Sequence, residues 1–448
     1  MSGEQITSDA PSHTAAREKQ ATRSTRQDAE ATQAALSRVQ RIRFREILGI
    51  VGPGVITGGA DNDPAGITTY SVVGAQSGFT QNWLLLLSTP LLIVVQQMAA
   101  RIGNVTKNDL ATLIRIRYGM PIATLAVGAT AIANIITIGA DLVMMAATLE
   151  LVTGRSYVEF VVPIAAVAAF STIFLNYRTM QRYLLWLAAV FACYIVSAFL
   201  ARPNWIDVAK STFLPHLSLD ATYLLGAVGL LGTTITPYLF FWQTSGEIED
   251  RRGVQDIRRS GLDIIAGMVW SNIVALFILI VTGAVLHAHG KTIVTAADAA
   301  RALEPFVGSS AKYLFAVGIV GAGLLAVPVL AASTAYAMAG LLGWRRGLAR
   351  RVNAAPAFYL VLGLALLVGV QLAIAGVDPI KALFYSQVLD GLIAAPLVLL
   401  LLLLTTNRAI MGDFVIGRVA RVIGWVAVGV LATSALALVY SVATQGLP

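Results

Sequence analysis

Residues 52–77 contain the side chains whose types and spacing are best suited to binding a cation. Inside an apolar stretch long enough to cross a bilayer, the sequence places Asp61, Asp63, Pro64 and Gly66. A carboxylate at mid-bilayer costs about 2.5–3.5 kcal/mol on insertion scales, and proline interrupts the helical hydrogen bonds. Carbonyls freed at such a break face a cavity rather than lipid. We therefore predict a cation site with Asp63 as a ligand, and with Asp61 as a second ligand or a vestibule charge.

A second apolar stretch, residues 221–249, is interrupted near 233–238. Its middle holds Thr233, Thr236 and Pro237. The Thr233 carbonyl and the Thr236 hydroxyl are candidate ligands, although threonine hydroxyls also bond back to helix carbonyls. All of these candidate atoms are oxygens, which hard cations such as Mg²⁺ prefer, whereas sulfur and imidazole favour transition metals.

Other polar groups in apolar stretches have two interpretations each. Gln387 either adds an amide oxygen to the site or packs between helices. Asp141 and Asp390 are either proton or ion relay groups or halves of buried pairs, and Arg350 and Arg351 are plausible partners. Asp63 itself has the alternative of a buried carboxylate satisfied by hydroxyls or an arginine.

The composition excludes an ordinary soluble domain. Of the 448 residues, 57% are hydrophobic and 12% are charged, and the mean hydropathy is +0.74; soluble domains have about 25% charged residues. A single cysteine, Cys193, excludes an internal disulfide framework. The four histidines lie in the tail and toward outer loops, so they do not build a metal site. Apolar runs of spanning length predict eleven transmembrane helices, at 46–77, 83–103, 121–152, 156–176, 181–201, 221–249, 261–287, 312–342, 355–376, 380–406 and 419–444.

The basic residues predict the orientation in the membrane. Residues 1–45 are rich in Arg, Ser, Thr and Gln and contain no apolar signal-peptide core, so we predict a disordered cytosolic tail. With this tail inside, the cytosolic loops carry more Arg and Lys than the outer loops, as the positive-inside rule requires. The chain is then a multi-pass protein of the cell (inner) membrane, with its N-terminus cytosolic and its C-terminus outside.

The interrupted helices are the first and the sixth of the eleven. Matching interruptions five helices apart predict two inverted five-helix repeats with a midplane site between them. The predicted organisation is a tail at 1–45 and a transmembrane domain at 46–448, with helices 1–5 at 46–201, helices 6–10 at 221–406 and helix 11 at 419–444.

Around these residues the sequence resembles the Nramp family of divalent-metal transporters, over about 46–444. The family's Asp-Pro-Gly-Asn motif is matched by Asp63-Pro64-Ala65-Gly66, and its Met-Pro-His motif by Thr236-Pro237-Tyr238. Residues 378–414 look like the family's helix 10 region. The resemblance implies an all-α membrane protein with the LeuT-like fold, in which helices 1 and 6 are broken.

The departures from the family motifs are informative. The Asn and Met of the family motifs are metal ligands, and the corresponding residues in this chain are Gly66 and Thr236. At the position of a family histidine that is implicated in proton movement, this chain has Tyr238. The family's Asp-Leu-Ala-Glu motif in helix 3 corresponds to Asp141-Leu142-Val143-Met144, so the glutamate is absent. This combined loss resembles the Nramp-related magnesium transporters, which have a larger, wetter site and are thought to work without proton coupling.

The resemblance implies transport of Mg²⁺, with Mn²⁺ as a second substrate, by alternating access and without a cofactor. Asp63 would attract the ion, and water with oxygens from Ala60, Thr233, Thr236 and Gln387 would complete its shell. We expect a monomer whose partners are the metal substrate and the lipid bilayer, with no nucleic acid.

Several alternatives remain open from the sequence. The first is an ordinary proton-coupled Mn²⁺/Fe²⁺ symporter of the Nramp type. Another is a sodium-coupled organic-solute symporter on the same architecture. A metal sensor would bind divalent ions without translocating them. An intramembrane aspartyl protease would need two catalytic aspartates, and nothing in the sequence marks a second one, so we expect no enzyme.

Overall fold

The computed structural model describes residues 53–174 and 190–446, and these residues form α-helices and short 3-10 turns without strands. The predicted tail at 1–45 lies outside the described residues. The helices, numbered in chain order, are α1 Pro53–Ala60, α2 Pro64–Ser77, α3 Asn82–Thr106, α4 Leu110–Tyr118, α5 Met120–Thr153, α6 Val158–Phe174, α7 Val190–Leu200, α8 Trp205–Phe213, α9 Ala221–Thr234, α10 Pro237–Glu249, α11 Ile257–Val285, α12 Ala296–Ala300, α13 Glu304–Val307, α14 Ala311–Leu342, α15 Pro356–Ile374, α16 Pro379–Thr406, α17 Arg408–Met411 and α18 Arg418–Gln445.

Each of the eleven predicted segments contains at least one helix among the described residues. Among the described residues, eight helical stretches are long and apolar enough to cross a membrane. They correspond to segments 2, 3 and 6 to 11. Segments 4 and 5 appear as the shorter apolar helices α6 and α7, next to undescribed residues, and segment 1 is divided between α1 and α2. The short helices α4, α8, α12, α13 and α17 lie between segments and were not predicted.

Both predicted interruptions are confirmed. The first segment stops at Ala60 and resumes at Pro64, and the sixth stops at Thr234 and resumes at Pro237. Each second half begins with a proline, whose missing N–H costs nothing in the first turn of a helix. The residue before each proline, Asp63 or Thr236, has an extended backbone, as the ring of a following proline favours.

The packing has the exchange symmetry expected of two repeats. Both halves of the first segment, α1 and α2, lie along α11 of the seventh, and α10 of the sixth lies along α3 of the second. If segments 1 and 2 are exchanged with segments 6 and 7, the contact between segments 1 and 7 becomes the contact between segments 6 and 2. Because each repeat has five segments, an odd number, the second copy enters the membrane from the opposite face. The repeats are therefore inverted, as predicted.

Small residues allow α1 to approach α11 closely. Gly54 and Gly58 form a Gly-xxx-Gly pattern on α1, and a Cβ added at Gly58 would lie 2.7 Å from the Cα of Gly267 on α11. Such contacts let helix backbones meet inside a membrane, where van der Waals packing drives association. The start of the interrupted first segment is thus fixed against α11.

Candidate metal centre

Asp63 caps the second half of the first segment. Its Oδ1 accepts a hydrogen bond of 2.5 Å from the Gly66 backbone N–H, and its side chain is 2% exposed. An aspartate is favoured at this position because it satisfies an N–H that has no partner within the helix, and its charge is stabilised by the helix dipole. The alternative that an arginine neutralises Asp63 is not seen, since none of the ion pairs among the described residues includes it.

The breaks in the first and sixth segments face each other at Gly66. A Cβ added to Gly66 would lie 2.8 Å from the Thr233 hydroxyl oxygen, 3.0 Å from the Asp61 carbonyl oxygen and 3.1 Å from Asp63 Oδ1. Three oxygens from the two breaks therefore converge on one point. In this conformation they occupy the space beside Gly66, so the enlarged site expected from the loss of an asparagine side chain is not open here.

Several predicted ligand atoms bond to one another or to neighbouring groups. The Thr236 hydroxyl donates to the Thr233 carbonyl at 2.6 Å, and the Tyr238 hydroxyl donates to the Ala60 carbonyl at 2.9 Å. The alternative of back-bonding is thus observed for Thr236. The Thr233 hydroxyl is different: it is buried beside Gly66 and has no hydrogen-bond partner.

Asp61 lies at the same break but points toward another helix. Its Oδ2 accepts a 2.5 Å hydrogen bond from the Ser271 hydroxyl on α11, whereas its Oδ1 is buried without a partner. The side-chain amide of Asn62, the next residue, is also buried without a partner. Asp61 Oδ2 is therefore held by Ser271, whereas Asp61 Oδ1 is available to bind an ion.

Asp141 contacts the break directly. Its Oδ1 accepts from the Ala65 backbone N–H at 3.1 Å, and its Oδ2 is buried and unpartnered. Both oxygens of Asp390 on α16 are likewise buried without a hydrogen bond. The hypothesis that these carboxylates pair with Arg350 or Arg351 is wrong, because both arginines are exposed and neither carboxylate is in an ion pair among the described residues.

Gln387 lies where α16 crosses α9. A Cβ at Gly232, the residue before Thr233, would lie 2.8 Å from the Gly391 Cα, so the two helices are in close contact beside Gln387. Its side-chain Nε2 donates to the Ser386 hydroxyl at 3.4 Å. The structure thus brings the Gln387 backbone next to the sixth-segment break, and it ties the side-chain amide to Ser386.

The centre combines deep burial with oxygen atoms that lack hydrogen bonds. Asp61, Asp63, Asp141 and Asp390 are each at most 2% exposed. Buried polar atoms normally have partners, so this concentration of unpartnered oxygens suits a cation or water better than a dry packed core. In the described ranges, no group of three or more His, Cys, Asp or Glu side chains has metal-binding geometry, so any metal shell here would combine single carboxylates with neutral oxygens.

His287 and His289 lie away from this centre. His287 is within hydrogen-bond distance of the Ala75 carbonyl, 3.1 Å away, and His289 of the Val285 carbonyl, 2.9 Å away, both at the far end of α11.

Sequence reasoning missed a buried polar network at the start of α1. Asp263 accepts from the backbone N–H groups of Gly54 at 3.0 Å and Val55 at 3.1 Å, and it pairs with Arg252 at 3.3 Å. Arg252 also lies 3.7 Å from a carboxylate oxygen of Glu247. The one signal in the sequence was that Asp263 is an acidic residue near the start of an apolar segment. Nothing in the sequence marked Ser271 as the partner of Asp61.

One acid at the rim of this network lies outside the membrane-spanning segments. Burial raises the pKa of Asp250 from its ordinary value, and the charge of Arg252, 3.7 Å away, acts in the opposite direction. Of these two influences on the pKa of Asp250, burial is the larger.

The architecture matches that of solved transporters. A manganese transporter from Eremococcus coleocola superposes with a TM-score of 0.73 at 20% identity, covering 90% of this chain and 88% of that one. MhsT, solved in complex with L-phenylalanine, superposes with a TM-score of 0.59 at 12% identity, covering 87% of this chain and 98% of that one. With its two broken helices and inverted repeats, the fold is the LeuT-like fold of membrane transporters.

Sequence comparison then gives the family. The pattern that describes the family "Natural resistance-associated macrophage protein-like" (Nramp) matches residues 54–441. The divalent metal cation transporter MntH of Deinococcus radiodurans is 30% identical over 400 residues, which cover 85% of this chain and 87% of that protein. MntH of Klebsiella pneumoniae is 28% identical over 395 residues, covering 86% and 92%. The chain belongs to the Nramp family, as the motif resemblance predicted.

Proposed function

We propose that this chain carries divalent metal cations across a membrane by alternating access, with Asp63 as the charged ligand. The observation that carries the proposal is the convergence of oxygens from both helix breaks beside Gly66. The names of the relatives agree with it: two are divalent metal cation transporters and a structural neighbour is a manganese transporter.

The shell would form by exchange of existing hydrogen bonds. Asp63 has a carboxylate at the break, the Thr233 hydroxyl has no partner, and the Asp61 carbonyl lies beside both. The carbonyls of Ala60 and Thr233 accept from hydroxyls that an ion can replace. Because the surrounding carboxylates are buried, the ion reaches them only when one half of the molecule moves against the other.

The proposed substrate is Mg²⁺, with Mn²⁺ as a second substrate. Thr236 and Gly66 offer neither the thioether nor the amide of the family motif, and the candidate atoms are all oxygens. Mg²⁺ prefers oxygen ligands and keeps several of its waters. A site that receives a hydrated ion needs more room than this closed conformation has at Gly66, and rotation of the unpartnered Thr233 side chain would provide it.

We also propose that transport proceeds without proton coupling. Tyr238 replaces the family histidine, and Met144 replaces the glutamate of helix 3, so two titratable groups of the family motifs are missing. The membrane potential suffices as a driving force: entry of two charges across ~100 mV gains about 4.6 kcal/mol.

One observation favours a second candidate, a proton-coupled Mn²⁺/Fe²⁺ symporter. Asp141 bonds to the Ala65 N–H at 3.1 Å and keeps one oxygen unpartnered, and both oxygens of Asp390 are unpartnered. A buried carboxylate next to the metal ligand is suited to accepting a proton when the ion leaves.

The proposed arrangement in the cell follows the charge distribution. The tail at 1–45 is cytosolic, residues 46–448 form one transmembrane transporter domain, and the C-terminus lies outside. A single chain supplies both helix breaks, so a monomer is a complete transport unit.

Uptake into liposomes tests the proposal and separates the two candidates. Purified protein is reconstituted with a metal-sensitive dye and, in parallel, a pH-sensitive dye, and Mg²⁺ or Mn²⁺ is added outside. We expect both ions to enter without acidifying the lumen, and Mg²⁺ to compete with Mn²⁺. Mn²⁺ uptake that excess Mg²⁺ does not inhibit, together with proton entry, would establish the symporter instead. Absence of any divalent uptake would overturn both.

A further inference from the structure

A cavity of about 370 Å³ lies between α3 and α11, apart from the metal centre. It is located where α3 approaches its last turn and α11 begins. The residues that give the cavity its character are Gln97, Arg101, Asn104, Arg258 and Gly261. It is therefore at the membrane surface, on the side where the loops are rich in arginine.

The cavity is basic. Arg101 is held in place because its Nη1 donates to the Val415 carbonyl at 3.0 Å, and Arg258 is exposed. None of the described residues that line the cavity is acidic. Asp263, the nearest acid along α11, is turned inward and engaged by Arg252 and the start of α1. The charged side chains that line the opening are thus all basic.

One wall of the cavity continues into an apolar face. Arg258, Leu262 and Ile265 are spaced at four and three residues, so they share one face of α11. Leu262 is 54% exposed and Ile265 is 40% exposed. Gly261 leaves room beside them, since a Cβ there would meet nothing nearer than the Gln97 amide nitrogen at 3.5 Å. Along α11 this face thus changes from the charged Arg258 to the apolar Leu262 and Ile265, in the same order as the headgroup and acyl chain of a lipid.

Asn104 adds a polar group at depth. Its Nδ2 donates to the Ser260 hydroxyl at 3.2 Å, while its Oδ1 is buried and has no hydrogen-bond partner. An oxygen in this position accepts a hydrogen bond from a hydroxyl group.

We propose that this cavity binds one anionic phospholipid of the leaflet facing the basic loops. The phosphate lies between Arg101 and Arg258, a hydroxyl of the headgroup reaches Asn104, and an acyl chain follows Leu262 and Ile265. Basic pockets between transmembrane helices are suited to anionic headgroups, and arginine matches the geometry of phosphate oxygens. Phosphatidylglycerol has both the charge and the hydroxyls.

Native mass spectrometry of the whole protein in detergent tests this assignment, by titration with phosphatidylglycerol or phosphatidylcholine. We expect one phosphatidylglycerol to be retained preferentially. In Arg258→Gln its affinity falls at least about fivefold, as expected for one surface arginine. Arg117→Gln is the matched control, because Arg117 is an exposed arginine on α4 that does not line the cavity.

A steric variant tests the same site without changing charge. Gly261→Leu fills the cavity and should abolish the preference for phosphatidylglycerol. Gly363→Leu is its control, since Gly363 lies in the exposed part of α15 with nothing within 4 Å of an added Cβ. Equal retention of the two lipids by the wild type, or unchanged retention in both cavity variants, would overturn the proposal. Displacement of phosphatidylglycerol by millimolar inorganic phosphate would identify a simple anion site instead.

Discussion

Replacing Asp63 with asparagine separates two roles that this side chain combines. Asp63 caps α2 by accepting the Gly66 N–H at 2.5 Å, and under our proposal its charge attracts the transported ion. Asparagine is as good an N-cap as aspartate, so Asp63→Asn keeps the helix start and removes only the charge. Asp63→Ala removes both.

The magnitudes of the two roles differ enough to be distinguished. At an effective dielectric constant of ~20, two unit charges about 4 Å apart interact by about 4 kcal/mol, and a divalent ion doubles this. Dehydration of the ion offsets part of the gain. We expect Asp63→Asn to lose at least about 2.8 kcal/mol of ion stabilisation, which is a ~100-fold loss of uptake at low metal concentration. The cap is worth about 1 kcal/mol.

The assay combines liposome uptake of Mg²⁺ and Mn²⁺ with thermal unfolding in detergent. Asp63→Asn should retain the wild-type unfolding temperature and lose uptake, whereas Asp63→Ala should lose uptake and unfold at a lower temperature. Wild-type transport by Asp63→Asn would refute the reasoning, because Asp63 would then be a helix cap and no more.

Three further substitutions probe other parts of the structure. Thr236→Met introduces a soft thioether at the sixth-segment break, so competition assays should show Mn²⁺ favoured over Mg²⁺ relative to the wild type. Asp141→Asn should leave the proton flux recorded during Mn²⁺ uptake at its background level; a flux present in the wild type and lost in this variant would support the symporter. Asp263→Ala should destabilise the protein by about 1–3 kcal/mol, since the Gly54 N–H loses its acceptor and Arg252 keeps only Glu247 and Asp250, and its unfolding temperature should fall below that of the exposed control Asp413→Ala.

Individual residues show where sequence-based prediction worked and where it failed. Pro64 and Pro237 predicted both helix interruptions because each stands among polar residues in the middle of an apolar segment, where proline removes a helical hydrogen bond. Proline alone does not end a helix, since Pro90 and Pro328 lie inside continuous helices. The Asp-Pro pair also predicted that the Asp63 carboxylate lies at a break. By contrast, the sequence suggested arginine partners for Asp141, and the structure instead gives it the Ala65 N–H. Long-range partners depend on how helices pack, and a single sequence carries little information about that.

The metal centre itself shows the same division. Asp63, Thr233 and Gly66 were named from the sequence, and the structure brings the last two within reach of the first. The sequence offered back-bonding of the threonine hydroxyls as an alternative, which is what Thr236 does with the Thr233 carbonyl. It did not predict that Ser271 holds one oxygen of Asp61. These contacts leave the Thr233 hydroxyl, rather than that of Thr236, without a partner.

Hydropathy, proline positions and motifs alone predicted eleven apolar segments, of which the first and sixth are interrupted, and placed this chain with the Nramp proteins. These properties are local, since a bilayer selects long apolar helices and a proline among polar residues favours a break in one. Only the tertiary structure decided which oxygens meet at Gly66, that Asp263 fixes the start of α1, and that a basic cavity opens between α3 and α11. Each of these depends on residues far apart in the chain, whose distances are set when the two repeats pack together.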